Sequence, residues 1–479
     1  MVTAEKITAN TSFFMMALIL QKLLSFIYFT FLARNLGVEV TGQYFFAISF
    51  ATMFAVLMDL GLSPLLIREV AKERENSDIW FRQIFTLKII FSFLTAVLVL
   101  ILNQLLFADD SVHVLIYLTL TISIIDSFTL FFYAFIRGRQ SLKFESLGTI
   151  IFQFIVMILG LTLMRFSNQA WVFILVLMTA SLFNFFYSII ILSNKFKIKL
   201  RLYYSKNLVK NILLVSLPFS LAAIFTKVYA YIDTFFLKLF LGDTAVGFYS
   251  VAYKITFALQ FIPMAFVAAL YPAFTNYFKN NSQSLSETFS KAWQYLVFIS
   301  LPIALGIMAL ADHIVGRLYT NQFGFSIWPL QVLIASIPFL FSNFSFSSLL
   351  NATDRAHINT RNIGIVMCAN IVANLIFIPS LGIWGASLSS SLSTLLLFSL
   401  NLIGVFKVVS LPKSFWWPII VSIFSSIIML VVVLFLKNLM NWLLVIPVAG
   451  LIYVVLMFLF KALRPADWLF IKRSFLKSS

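Results

Sequence analysis

Residues that build a water-facing surface are scarce in this chain. Only 11% of its 479 residues are charged against 61% apolar, and acidic side chains number 17 against 34 basic ones. Soluble domains run near a quarter charged and half apolar, so a water-solvated globule is excluded and the solvent must be lipid. Polar stretches are short as well. The longest, residues 68–82 and 193–210, are too small to fold alone, which excludes a nucleotide-driven motor domain within the chain. A single cysteine, Cys368, rules out an intrachain disulfide. The three histidines, His113, His313 and His357, are scattered without metal-ligand spacing. No Gly-Lys dipeptide occurs, so a phosphate loop of the Walker type is missing. No cofactor is called for.

What the chain has instead is hydrophobic runs of spanning length. About 20 apolar residues suffice to cross a bilayer as a helix, and fourteen such windows run from residues 11–33 to residues 441–460. The first is too long for a cleaved signal and is followed by further spans, so it reads as a transmembrane helix. Of the 34 basic residues, 25 fall in the N-terminal segment, the even-numbered connections and the C-terminal tail, and five (Arg34, Arg165, Lys238, Arg317 and Lys437) in the odd-numbered connections. The positive-inside rule then puts both termini in the cytoplasm. The net charge of +17 is therefore topogenic. Attraction to anionic lipid follows from it secondarily, and nucleic acid is not an expected partner.

Internal repetition divides the chain. Leu36-Gly37, Gly42 and Tyr44 return as Leu241-Gly242, Gly247 and Tyr249, 205 residues later; Arg139 and Gly148 return as Arg355 and Gly364, 216 later. The expected architecture is an all-α integral membrane protein of about 14 spans: a six-helix bundle in residues 1–200, a second in 201–410, and two added helices with a basic tail in 411–479. Six is even, so the halves are parallel and related by a pseudo-twofold axis along the membrane normal. Transporters built this way carry their substrate path between the repeats. Prolines inside the windows, Pro218, Pro263, Pro302, Pro338, Pro418 and Pro447, predict kinks.

Ionisable groups at membrane depth are costly and normally face water or a partner. Seven lie inside the windows: Lys22, Asp59, Lys88, Asp126, Lys227, Asp233 and Lys254. Lys88 is six residues beyond Arg82 and is expected to reach back to the cytoplasmic face; Asp233, near the outer end of its span, is likewise expected to reach water. Lys22 and Lys227 are both mid-helix and separated by the repeat offset of 205. Facing one another across a central path, two ammonium groups require a hydrated cavity, a carboxylate, or an anionic substrate. The competing account is coincidence, with each lysine paired to an aspartate. Lys254 adds a third positive charge to the path. Asp59, Asp126 and Asp233 supply counter-charges or proton-accepting sites for a coupling ion, H+ or Na+.

The segments Phe31-Leu-Ala-Arg-Asn-Leu-Gly37, Thr41-Gly-Gln-Tyr44, Asp59-Leu-Gly-Leu62 and Ile67-Arg-Glu-Val-Ala71 resemble the opening of the polysaccharide transporter family. These are the O-antigen and capsule flippases of the multidrug/oligosaccharidyl-lipid/polysaccharide flippase superfamily. Leu350-Asn-Ala-Thr-Asp-Arg355 and Leu381-Gly-Ile-Trp-Gly-Ala386 look like its second-half signatures. The resemblance implies a flippase, not an enzyme, that moves an undecaprenyl-diphosphate-linked oligosaccharide to the outer leaflet of the cell membrane by alternating access. The glycan headgroup would cross a cationic cavity while the isoprenoid tail stays in lipid. Polysaccharide polymerase and glycosyltransferases of the same pathway are the implied partners. Arg34 matches the family's Ala-Arg-x-Leu-Gly arginine, as a phosphate contact or an interfacial anchor. Rival readings are a lipid II flippase, a cation-coupled multidrug exporter with twelve helices, and a membrane glycosyltransferase or polymerase. The last needs acidic residues in a large outer loop, whereas the outer connections are a handful of residues long and Asp109-Asp110 is their one acidic pair.

Overall fold

The computed structural model describes residues 4–73 and 77–463; Arg74 and the basic tail from Arg464 lie outside the described residues. The described chain is helical throughout. Twelve helices are long and apolar enough to cross a membrane, thirteen if one bent pair counts as a single span. Contacts divide the chain into two compact units, Met1–Ser250 and Val251–Ser479.

The first unit opens with α1 (Ala4–Ala55), whose 52 residues would run roughly 78 Å at a rise of about 1.5 Å each, over twice the ~30 Å hydrocarbon core. Gly37 resolves the mismatch. Its backbone leaves the helix at φ 77° and ψ −179°, a region that only glycine enters cheaply, so α1 is two helices joined at a kink. A 3-10 turn (Val56–Met58) precedes α2 (Leu62–Lys72), followed by α3 (Ser77–Leu106), α4 (Asp110–Gly138), α5 (Lys143–Leu163), α6 (Ala170–Phe196) and α7 (Lys206–Leu241). The start of α8 (Asp243–Ala258) belongs to the same unit. Asp109 caps α4 by accepting from the Ser111 amide at 2.9 Å. Leu65, Leu66 and Val70 of α2 share a core with Phe81 of α3 and Phe131, Phe132 and Phe135 of α4.

The repeated motif is a packing device. Gly242 adopts φ 80° and ψ −169°, nearly the conformation of Gly37, 205 residues earlier. A Cβ on Gly42 would stand 1.9 Å from the Asp243 carbonyl oxygen, and one on Gly247 would stand 2.0 Å from that of Val38. Residues 38 and 243 are again 205 apart, so the two contacts are the same contact made twice. Glycine lets backbone cross backbone there, as small residues do between membrane helices.

The second unit continues with α9 (Phe261–Asn280), α10 (Ser282–Ala309), the short α11 (Ala311–Leu318), α12 (Ile327–Ala335), α13 (Ile337–Ala352), α14 (Ala356–Leu381), α15 (Ile383–Phe406), α16 (Trp416–Leu436) and α17 (Trp442–Leu459). Two spans expected to be continuous are broken here. A two-residue turn at Leu259–Gln260 interrupts the helix between α8 and α9, and a 41° bend separates α12 from α13. Pro263 and Pro338 stand four residues beyond Leu259 and Ile334, whose carbonyls they cannot serve as donors. Pro218, Pro302 and Pro447 lie inside continuous helices instead.

Buried amides join α13, α14 and α15. The Asn362 side chain donates to Asn401 at 3.0 Å, and Asn401 donates to Asn343 and Asn359 at 3.3 Å each. Asn401 is fully buried, 0% exposed. Replacing it with leucine strands its neighbours' polar atoms, which costs about 1–3 kcal/mol per unpaired group. A thermal melt in detergent is expected to shift down by several degrees; an unshifted melt would show that the network is not holding these helices.

Candidate functional site

The chain breaks between the 3-10 turn and α2, where Pro64 stands four residues beyond Leu60 and has no N–H to offer its carbonyl. Leu60 (φ 41°) and Gly61 (φ 73°) both take left-handed backbone conformations. The break aims the Asp59 carboxylate at α3, where the Lys88 ammonium donates to it at 2.6 Å. Ser63, the second residue of α2, donates its hydroxyl and its amide to the same carboxylate. Lys88 is therefore not a side chain reaching for the aqueous face. It is 1% exposed, with its charge satisfied inside the protein. From α7, the Ser220 hydroxyl donates to the Leu60 carbonyl at 2.6 Å, and a Cβ on Gly61 would stand 2.8 Å from the Ser216 carbonyl oxygen. Pro218 sits between those two serines, so the break on one helix docks against the proline of another.

A buried pair that loses one member leaves an uncompensated charge, at a cost of about 3–5 kcal/mol. Asp59→Ala is expected to lower the melting temperature sharply, and Asp59→Ala with Lys88→Met to recover most of it. Equal melts for the single variant and the unaltered protein would remove the pair from any account of stability.

Lys22 on α1 and Lys227 on α7 lie within electrostatic reach of one another. Both are half-buried. The Lys227 ammonium stands 5.8 Å from the centroid of the Tyr231 ring, a cation–π distance. Two ammonium groups within electrostatic reach of one another would attract an anion, phosphate above all, through charge-assisted hydrogen bonds. Lys254, on α8, belongs to the second unit and is half-buried there.

The remaining candidates take separate places. Asp126 of α4 lies beside Ser181 of α6. Asp233 of α7 does not reach water: it is 3% exposed and accepts from the Tyr249 hydroxyl at 2.8 Å. The outer-end position predicted exposure, but the α7 face that carries Asp233 packs against α8. Tyr28 and Tyr44 occupy the repeat-equivalent positions 205 residues earlier. A tyrosine thus stands in the first repeat where the second has an aspartate, which is why residue matching at the repeat offset did not single out the pair. Arg34 is exposed, one turn before the Gly37 kink.

The model of a family described as polysaccharide biosynthesis proteins matches residues 7–278, more than half of the chain. A second model, MatE, matches residues 218–376. An uncharacterised membrane protein of Methanocaldococcus jannaschii is 24% identical over 480 residues, covering 94% of both chains. The probable low-salt glycan biosynthesis flippase Agl15 of Haloferax volcanii is 24% identical over 166 residues, 34% of this chain and 35% of its own. Among solved structures, the lipid II flippase MurJ in an inward closed conformation superposes with a TM-score of 0.77 at 16% identity, covering 95% of this chain and 99% of its own. An inward-facing multidrug resistance MATE transporter gives 0.65 at 16% identity over 81% and 94%. These two establish the shared fold. Together with the family match, they make the chain a multi-pass membrane protein of the polysaccharide biosynthesis protein family, within the multidrug/oligosaccharidyl-lipid/polysaccharide flippase superfamily.

Proposed function

We propose that this protein flips a lipid-linked oligosaccharide, carried on undecaprenyl diphosphate, from the inner to the outer leaflet of the cell membrane for surface polysaccharide assembly. The observation that carries the proposal is the Lys22–Lys227 pair, two ammonium groups brought within interaction range at repeat-related positions. A diphosphate is the anion that such a pair would meet, and a low local dielectric strengthens the attraction. Lys254 would extend the cationic path, with Arg34 as an early phosphate contact or an interfacial anchor. The named relatives are flippases and transporters rather than enzymes of known chemistry, in keeping with a cargo that moves without a bond being made.

The proposed topology has fourteen spans and cytoplasmic termini. Twelve candidate helices become fourteen when the Gly37 kink divides α1 and the bent α12–α13 pair is counted as one span. The proposed organisation is residues 1–200 and 201–410 as parallel six-helix repeats, with 411–479 as an appendage. Asp59 serves as the counter-charge of Lys88 on this reading, leaving Asp126 and Asp233 as the sites for a coupling H+ or Na+. Polymerase and glycosyltransferases act before and after the flip.

Deletion of the gene tests the proposal. A glycan-loaded lipid diphosphate is expected to accumulate while surface polysaccharide disappears; normal export would overturn it, and a new glycosidic bond made by purified protein would replace it with an enzyme. The MurJ-like fold favours lipid II as a second cargo. Accumulated lipid II in the deletion strain, instead of a polysaccharide repeat unit, would select that reading.

A further inference from the structure

Within the first unit, a cavity of about 490 Å³ opens where the arm of α1 after Gly37, the first turns of α4 and the connection into α6 converge. Its lining is unlike the lysine pair. Gln43, Ser111, Asn168 and Gln169 contribute amides and a hydroxyl, Val114 an apolar wall, and Trp171 an indole left 43% exposed. No lysine, arginine or carboxylate is among its lining residues. The lining therefore offers a phosphate no opposite charge. Neutral amide and hydroxyl groups beside an accessible aromatic face match the surface of a sugar ring, which is polar at its rim and carbon–hydrogen on its face. The volume lies within the range of small-ligand pockets.

Two details separate this lining from ordinary packing. Gln43 sits between Gly42 and Tyr44 of the repeated motif, where the second repeat has Phe248 between Gly247 and Tyr249. The backbone crossing therefore does not require an amide at that position. The Trp171 indole N–H is held by the Gln169 side chain, which fixes the orientation of the ring.

We infer that this cavity is a glycan subsite, binding one or two neutral sugar residues of the cargo at the end of the first unit where α4 and α6 begin. Under the proposed topology that is the outer end. The inference rests on the lipid-linked glycan reading of function and adds to it a place where the sugar, rather than the phosphate, is held. A tryptophan that only anchors the helix at the membrane interface is the competing role.

Saturation-transfer NMR on the full-length protein in lipid nanodiscs, with maltose and N,N′-diacetylchitobiose as probes at millimolar concentration, tests the subsite. Transfer to at least one sugar is expected. It should fall at least fivefold in Trp171→Leu and in Gln43→Leu with Asn168→Leu, and at least half should remain in Trp171→Phe. Leucine preserves a membrane anchor but not an aromatic face, so an unchanged signal in Trp171→Leu would overturn the inference, as would no transfer to either sugar from the unaltered protein. The variant Lys22→Ala with Lys227→Ala should keep the sugar signal while losing export. If it keeps both, the cargo reading fails and the sugar site stands; if export depends on the lysines but no sugar binds, the reverse holds.

Discussion

Replacing Lys22 and Lys227 together with alanine is expected to reduce surface polysaccharide export by about a hundredfold at unchanged protein level. A hydrogen bond to a charged group contributes about 1.5–3 kcal/mol, and every 1.4 kcal/mol is about tenfold, so two lost contacts reach that range even with incomplete additivity. Single alanine variants are expected to lose about tenfold each, because the surviving ammonium still attracts the anion. Arginine at both positions preserves charge and should retain more export than alanine, although its planar fork does not reproduce the geometry of an ammonium. Normal export from the double alanine variant would end the cationic-path proposal.

Gly42→Ala and Gly247→Ala are expected to be the most damaging single substitutions to the fold. The added Cβ would stand 1.9 Å or 2.0 Å from a backbone carbonyl oxygen, far inside contact distance, and a backbone cannot rotate aside as a side chain can. Overpacking in a close-packed interior costs about 1–3 kcal/mol, and a backbone clash belongs at or above the upper end of that range. The Lys238–Asp243 ion pair, 2.6 Å long, ties down the segment that would have to move. Gly450→Ala is the control: nothing lies within 4 Å of its added Cβ, and an alanine inside α17 favours the helix by up to about 1 kcal/mol. Size-exclusion chromatography in detergent should show little folded Gly42→Ala or Gly247→Ala protein and abundant Gly450→Ala. Wild-type elution and melting for the first two would mean that the crossing is not a close one.

Legibility differed from residue to residue. Lys22 and Lys227 could be found because duplication makes two distant positions report on each other, and a coincidence of offsets needs no structure to be seen. Lys88 was misjudged for a related reason. Its distance from Arg82 along the chain says how far the side chain could stretch, but not that the broken end of another span, 29 residues earlier, aims a carboxylate at it. The break itself has a mark in the sequence, Pro64 four residues beyond Leu60, but a proline there reads equally as the first turn of an unbroken helix. The breaks near Pro263 and Pro338 carried a signal, but proline alone does not separate a break from the continuous path that α7 keeps through Pro218.

Membrane residence and the helical class follow from composition and periodicity, because lipid demands long apolar runs with internally satisfied backbone. The superfamily was legible in the short ordered motifs. Which charges meet was a matter of packing: Lys88 with Asp59, Lys22 near Lys227, and Asp233 under Tyr249 depend on helix rotation and on where a span breaks. Hydropathy is nearly uniform around these helices, so it leaves their rotation undetermined, and only close contact between backbones, such as the glycine crossings, chooses the faces that touch.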